Sequence, residues 1–218
     1  MDPAGSVTCR STPELIALLI AAVIMLGGRT LPAAASPAVG QPAPPFTGID
    51  SRGQTISLAD YRGQAVVLEW TNHECPFVRR HYDAGSMQAL QKRAAREKVV
   101  WLSVISSAPG EQGHVTGNEA DALTAQRGAS PAAVIIDPSG MIGRAYDAKT
   151  TPHMFVIDAS GTLVYAGAID DQPRNTGADP ATATNHAAEA LSALNEGRPV
   201  ATPVTLPYGC SIKYRSGT

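Results

Sequence analysis

The first apolar block of the chain, Leu15–Leu26, reads LIALLIAAVIML with no polar interruption. Its 12 residues fall short of the roughly 20 that a membrane-spanning helix needs. Arg10 precedes the block, and Gly27, Gly28 and the small residues Ala33-Ala34-Ala35 follow it. That pattern predicts a secretory signal over 1–35, cleaved before Ser36. An uncleaved helical anchor is the alternative. Beyond it, the Pro-rich 36–47 stretch suits an extended entry segment, and Ile49 to Ile56 reads as a hairpin around Asp50-Ser51-Arg52-Gly53. Ala65–Trp70 is a buried-strand run. The polar turn Thr71-Asn72-His73-Glu74 after it stops at Cys75-Pro76, and Pro in a first helical turn places Cys75 at a helix entrance.

Helical spacing carries Leu90 and Ala94 inward, with a break near Asp83-Ala84-Gly85 and a restart at Ser86. A strand over Val99–Ile105 follows, then a helix that Thr116 and Glu119 open as a capping box and that ends near Gly128. Ala133–Ile136 is a third strand, closed by Asp137-Pro138-Ser139-Gly140. Met154–Ile157 and Leu163–Ala166 form a hairpin across Asp158-Ala159-Ser160-Gly161. The last helix is expected from about Pro180, with Ala183, Ala187, Ala190, Leu191 and Leu194 on one face and Gly197 as its stop. This order predicts an α/β sandwich, a central mixed sheet flanked by helices with an N-terminal β-hairpin extension. The domain spans 36–198, and a Pro-punctuated tail over 199–218 carries Cys210.

Composition narrows the function. Of 218 residues, 17 are basic and 19 acidic, and only 5% are aromatic, so no basic face interleaved with stacking rings points to nucleic acid. No nucleic-acid partner is expected, nor a stable membrane span once the signal is cleaved. The chain has three cysteines, and Cys9 leaves with the signal. Cys75 and Cys210 remain, bound for a periplasmic or secreted, oxidising location where a disulfide persists. At a helix entrance, Cys75 meets the positive end of the helix dipole and unpaired N–H groups, which favour the reactive thiolate. The plainer alternative is a small buried hydrophobe. Glu74 beside it either shuttles the thiol proton or favours the helix N-terminus by its charge. His81, His114 and His186 have no evident partners in the sequence.

Several segments together resemble a known family: Gly40-Gln41-Pro42-Ala43-Pro44-Pro45-Phe46, Leu58 to Leu68, Cys75-Pro76, Ile136 to Gly140, and Thr151-Pro152-His153-Met154-Phe155-Val156-Ile157-Asp158. They look like the thioredoxin-fold redoxins of the AhpC/TSA superfamily, in the peroxiredoxin-like branch whose cysteine stands at the first position of the thioredoxin CxxC motif. Tyr208-Gly209-Cys210-Ser211-Ile212-Lys213-Tyr214 is also similar to that branch. The resemblance implies a thioredoxin-like sandwich, an oxidoreductase, Cys75 as nucleophile and a cis-proline at Pro152 beside it. It leaves the Thr151 backbone to pair with a substrate peptide as an added strand. Thr151, Pro152, Asn72 and Pro76 are the expected substrate-binding residues. No cofactor is implied.

Departures from the family pattern refine the chemistry. Val78 stands where CxxC has its second thiol, so no local disulfide forms. Leu68 and Asn72 stand where a peroxiredoxin has its Pro and Thr, and Thr151-Pro152 takes the place of its Arg. Asn72, Thr71, Arg79 and Arg144 are the possible substitutes. Thiol-disulfide exchange with a protein substrate therefore ranks first, with Cys210 as resolving thiol and a thiol reductant of unspecified identity returning the protein. Cys-dependent peroxide reduction ranks second, and Cys210 as a permanent structural bridge is the alternative for that residue. A copper-binding carrier through His73, Cys75 and His153 ranks third; such carriers bear CxxxCP, and Thr71 falls on the first of those cysteines.

Overall fold

The structure, a computed structural model, describes residues Met1, Gly5, 37–173 and 180–216. The expected signal run and its cleavage site fall outside the described residues apart from Met1 and Gly5. Residues 37–173 and 180–216 build the sandwich. Its central sheet has seven strands: β1 (Thr47–Asp50), β2 (Thr55–Ser57), β3 (Val66–Trp70), β4 (Val100–Ile105), β5 (Ala133–Ile136), β7 (His153–Ile157) and β8 (Leu163–Gly167), in the order β2-β1-β5-β4-β3-β7-β8. β6 (Thr150–Thr151) and β9 (Cys210–Ser211) form a second, two-stranded sheet. β3 runs parallel to β4 and antiparallel to β7, so the sheet is mixed. The β1–β2 hairpin joins it through antiparallel pairing of β1 with β5.

Alternation along β3 divides the core. Val66, Leu68 and Trp70 face one side with Leu102, Val104, Phe155 and Tyr146. Trp70 packs its ring 5.2 Å from Phe155 and 5.4 Å from Tyr146, while its Nε1 donates to Ser106 Oγ at 3.0 Å. Val67 faces the other side, toward α1 (Pro76–Asp83), α2 (Ser86–Arg96) and α5 (His186–Asn195), which contribute Val78, Met87, Leu90 and Leu191. Glu69 on that face is fully buried. Trp101 Nε1 at 2.9 Å, Ser103 Oγ at 3.0 Å and Tyr82 Oη at 3.0 Å donate to its carboxyl oxygens. Burial pushes its pKa up, and these bonds oppose that rise.

The helix break at Ala84-Gly85 and the Thr116–Glu119 capping box of α3 (Gly117–Gln126) follow the sequence reading. Other elements do not. A five-residue helix, α4 (Met141–Ala145), is too short to show a period, and it lies on the Trp70 face through Ile142. The last α-helix begins at His186 rather than near Pro180, where only a 3-10 turn forms. The reason is local: Asn185 Oδ1 accepts the Ala188 N–H at 2.8 Å and caps α5 there. Asn185→Ala is therefore expected to lower stability by about 1 kcal/mol, read as a lower denaturant midpoint at unchanged slope.

The 199–216 tail is woven into the domain. Pro203 and Thr205 bond Ala166 of β8, Ile212 N donates to Lys149 O at 3.0 Å, and Tyr214 Oη donates to Ala148 O at 2.7 Å. Among the described residues, no helix is long and apolar enough to cross a membrane.

Candidate active site

The carboxyl end of β3 runs directly into the turn that delivers Cys75. Asn72 O accepts the Cys75 N–H at 3.1 Å, and Asn72 Oδ1 accepts the Glu74 N–H at 2.9 Å, which closes the turn. Cys75 has extended backbone angles as the N-cap of α1, and Pro76 follows in the first turn. The thiol lies at the positive end of the helix, as the sequence implies. The Thr151–Pro152 peptide is cis. Cys75 Sγ donates to Thr151 O at 3.0 Å, so these two expected site residues meet.

Cys210 joins them from the tail. β9 pairs antiparallel with β6, with Cys210 opposite Thr151 and Ser211 opposite Thr150. Cys210 packs against the apolar cluster that holds Cys75, and its side chain and backbone lower the Cys75 pKa. Gly209 makes the crossing possible: a Cβ there would lie 2.1 Å from Thr151 O, and its φ is +123°. This pairing corrects the expectation of a free Thr151 edge. The chain's own tail takes the position reserved for an added strand, because its Ile212 and Val204 pairings hold it alongside Lys149 and Ala166. Cys75 is left 0% exposed beneath it.

Burial alone would push the Cys75 thiol up, yet its pKa is lowered. Hydrogen bonds from the Cys210 thiol, the Thr151 hydroxyl and the N–H groups of Val78 and Cys210 stabilise the thiolate and outweigh desolvation. Cys210 is pushed up to about 12, first by burial and then by donating to, and facing the charge of, Cys75. The two shifts divide the roles: Cys75 is the readier nucleophile, while Cys210 keeps its proton as it faces Cys75. A thiolate-absorbance titration should show one ionisation lowered relative to an ordinary thiol, and Cys75→Ser should remove it. The native state favours that thiolate. Its contribution to stability is present in full above the unfolded cysteine pKa and disappears as pH falls through the lowered native value.

The Asn72 side chain packs against Gly113, where a Cβ would come within 2.3 Å of it. Glu74 is exposed and accepts the Gly113 N–H at 2.6 Å, which engages its carboxylate with the 110–114 loop. Arg79 is exposed on α1, and Arg144 lies over the Tyr214 ring at 4.7 Å. His153 Nδ1 accepts the Lys149 N–H at 3.2 Å beneath Phe155, and its pKa is lowered to about 4 by burial. His73 lines a separate cleft with His114 and Glu119. The copper set of His73, Cys75 and His153 is not assembled: among the described residues no three His, Cys, Asp or Glu side chains converge as a metal site.

A buried polar group next to the thiol escaped the sequence reading. Tyr208 Oη donates to Asp170, and the Tyr208 ring meets Phe77 of α1 edge-on at 5.7 Å. Arg80 and His81 lie 3.6 and 3.7 Å from the other Asp170 oxygen. His81 also has Ser86 Oγ at 3.1 Å, and its pKa is lowered to about 4, mainly by burial. The histidines without an evident partner in the sequence find one either across the fold, as His81 does in Asp170, or within their own segment. His114 Nδ1 lies 3.1 Å from Ser107 O, and His186 lies 3.5 Å from Glu189.

No curated protein matches the chain. Among solved structures, a hypothetical protein from Sinorhizobium meliloti 1021 is 24% identical, with 84% of this chain and 98% of that one covered at a TM-score of 0.73. An uncharacterized conserved protein from Geobacillus kaustophilus is 26% identical, with 83% and 94% covered at 0.74. The AhpC/TSA family model matches residues 39–166, more than half of the chain, and takes in Cys75, Pro76 and the Thr151-Pro152 pair. The chain therefore belongs to the AhpC/TSA family, as an oxidoreductase of the thioredoxin-fold redoxins.

Proposed function

We propose that this protein is an exported thiol-disulfide oxidoreductase in which Cys75 attacks and Cys210 of the same chain resolves. One observation carries the reading: a thiol with a lowered pKa at the entrance of α1, hydrogen-bonded to Thr151 O directly opposite Cys210, the only other thiol of the 36–218 region. In the first step the Cys75 thiolate attacks one sulfur of a substrate disulfide. A mixed disulfide forms, and the first substrate sulfur leaves as thiolate and takes a proton from water. Cys210 then loses its proton and attacks the Cys75 sulfur. The second substrate thiol departs and the Cys75–Cys210 disulfide remains. Two electrons pass to the substrate, and an external thiol reductant returns them. The loss of charge on Cys75 in the mixed disulfide removes one cause of the raised Cys210 pKa, which favours the second step.

Disulfide exchange is favoured over peroxide reduction by what surrounds the thiol. The groups that hold the Cys75 thiolate are a thiol, a hydroxyl and backbone N–H groups, none of them a guanidinium. Peroxide attack gains from cationic donors on the departing oxygen far more than disulfide attack does. Relative to free cysteine at matched thiolate fraction, the reduced protein should react faster with glutathione disulfide than with hydrogen peroxide, in stopped-flow mixing with each. Peroxide reactivity enhanced by several orders of magnitude would reverse the ranking. Export is supported by the 15–26 apolar run and the small residues after it. Intact-mass analysis of exported protein should show a start near Ser36, and retention of Met1 would argue for an anchor.

A further inference from the structure

Cys75 is wholly buried, and the segment that covers it is the one that carries its partner thiol. A substrate sulfur has to reach Cys75 where the Cys210 side chain and the β6–β9 pairing now lie. The covering segment is tied down on both sides of Cys210. Upstream, Thr205 N donates to Ala166 O at 3.2 Å, and Tyr208 is held by Asp170 through its hydroxyl and by Phe77 through its ring. Downstream, Ile212 N donates to Lys149 O and Tyr214 Oη to Ala148 O. Tyr208 differs from the other ties. Its acceptor is a carboxylate that is 2% exposed, its stacking partner stands two residues after Cys75, and it lies two residues before Cys210.

We propose that residues 203–214 act as a strap that occupies the substrate's place at Cys75, and that Tyr208, latched on Asp170, is the positioning residue that sets how readily the strap lifts and returns. The proposal rests on the disulfide-exchange reading. Lifting the strap admits the substrate to Cys75, and closing it brings Cys210 back onto the mixed disulfide. The latch therefore acts with opposite sign on the two steps: it slows the attack and speeds the resolution. A residue that merely stabilised the fold would not separate them in this way.

Tyr208→Phe keeps the ring against Phe77 and removes the hydroxyl donated to Asp170. In a Cys210→Ser background, where only the first step runs, it should raise iodoacetamide alkylation of Cys75 roughly tenfold, the effect of losing one hydrogen bond to a charged acceptor. Peptide mass spectrometry isolates Cys75 from Cys9. The rate of mixed-disulfide formation with glutathione disulfide should rise by the same factor. With Cys210 present, Tyr208→Phe should lower the equilibrium fraction of Cys75–Cys210 disulfide in a glutathione buffer, again about tenfold in the constant. Gly209→Ala, whose Cβ would press on Thr151 O, should shift all three quantities in the same directions and decides the matter if Tyr208→Phe fails to fold. Faster alkylation without a faster glutathione reaction keeps the strap and refutes the exchange reading. Unchanged alkylation in the folded variant, or attack and closure slowed together, overturns the strap.

Discussion

Replacing Cys75 by Ser is expected to lower disulfide reduction more than about a thousandfold, whereas replacing Cys210 by Ser should leave the first attack intact and stop the cycle after it. The asymmetry follows from the site. The α1 entrance and the polar groups around it lower the Cys75 pKa and favour its thiolate, whereas a serine hydroxyl there stays protonated at neutral pH. Cys210, pushed up to about 12 while it faces Cys75, is a poor first nucleophile and a well-placed second one. Within 36–218 no third thiol exists, so a Cys210→Ser chain has no internal route out of the mixed disulfide. Mixing that variant with glutathione disulfide should give one equivalent of released thiol and a chain heavier by one glutathionyl group at Cys75. Sustained turnover without Cys210 would make that residue structural.

The oxidised protein is expected to unfold some 10–20 °C above the reduced one. A bond between Cys75 and Cys210 closes a loop 135 positions long, and restricting the unfolded chain to that extent stabilises the fold by about 4–5 kcal/mol in the chain-entropy account. The reduced native state already pairs Cys210 opposite Thr151, whose carbonyl accepts from Cys75, so closing the bond calls for little rearrangement. Differential scanning calorimetry of the two redox forms at matched protein concentration measures the difference. Equal midpoints, or a gain that depends on protein concentration, would contradict a bond within one chain.

The parts of this fold that were legible in the sequence rest on short-range chemistry. Pro76 after a polar turn marks the helix entrance at Cys75, Thr116 and Glu119 mark a helix start, and Asp158 to Gly161 between two apolar runs marks a hairpin. The cis bond before Pro152 followed from family resemblance. What sequence hid depends on where distant segments meet. Tyr208 and Asp170 are 38 positions apart, and only the path of the tail along β8 joins them. The Thr151 edge read as open because Pro199, Pro203 and Pro207 suggest a loose tail, while Thr205, Ile212 and Tyr214 find backbone partners that no local pattern announces. Gly209 permits a close backbone approach there, since a Cβ would meet Thr151 O, but a lone glycine in a Pro-rich tail does not announce it.

The most direct test of a Cys75 nucleophile resolved by its own chain is non-reducing peptide mapping of the protein after one turnover with a substoichiometric disulfide. The account predicts a single new cross-link between the Cys75 and Cys210 peptides in monomeric protein, formed in step with release of two substrate thiols. Cys210 recovered as a free thiol with Cys75 bound elsewhere, or the same cross-link found between two chains, would contradict it.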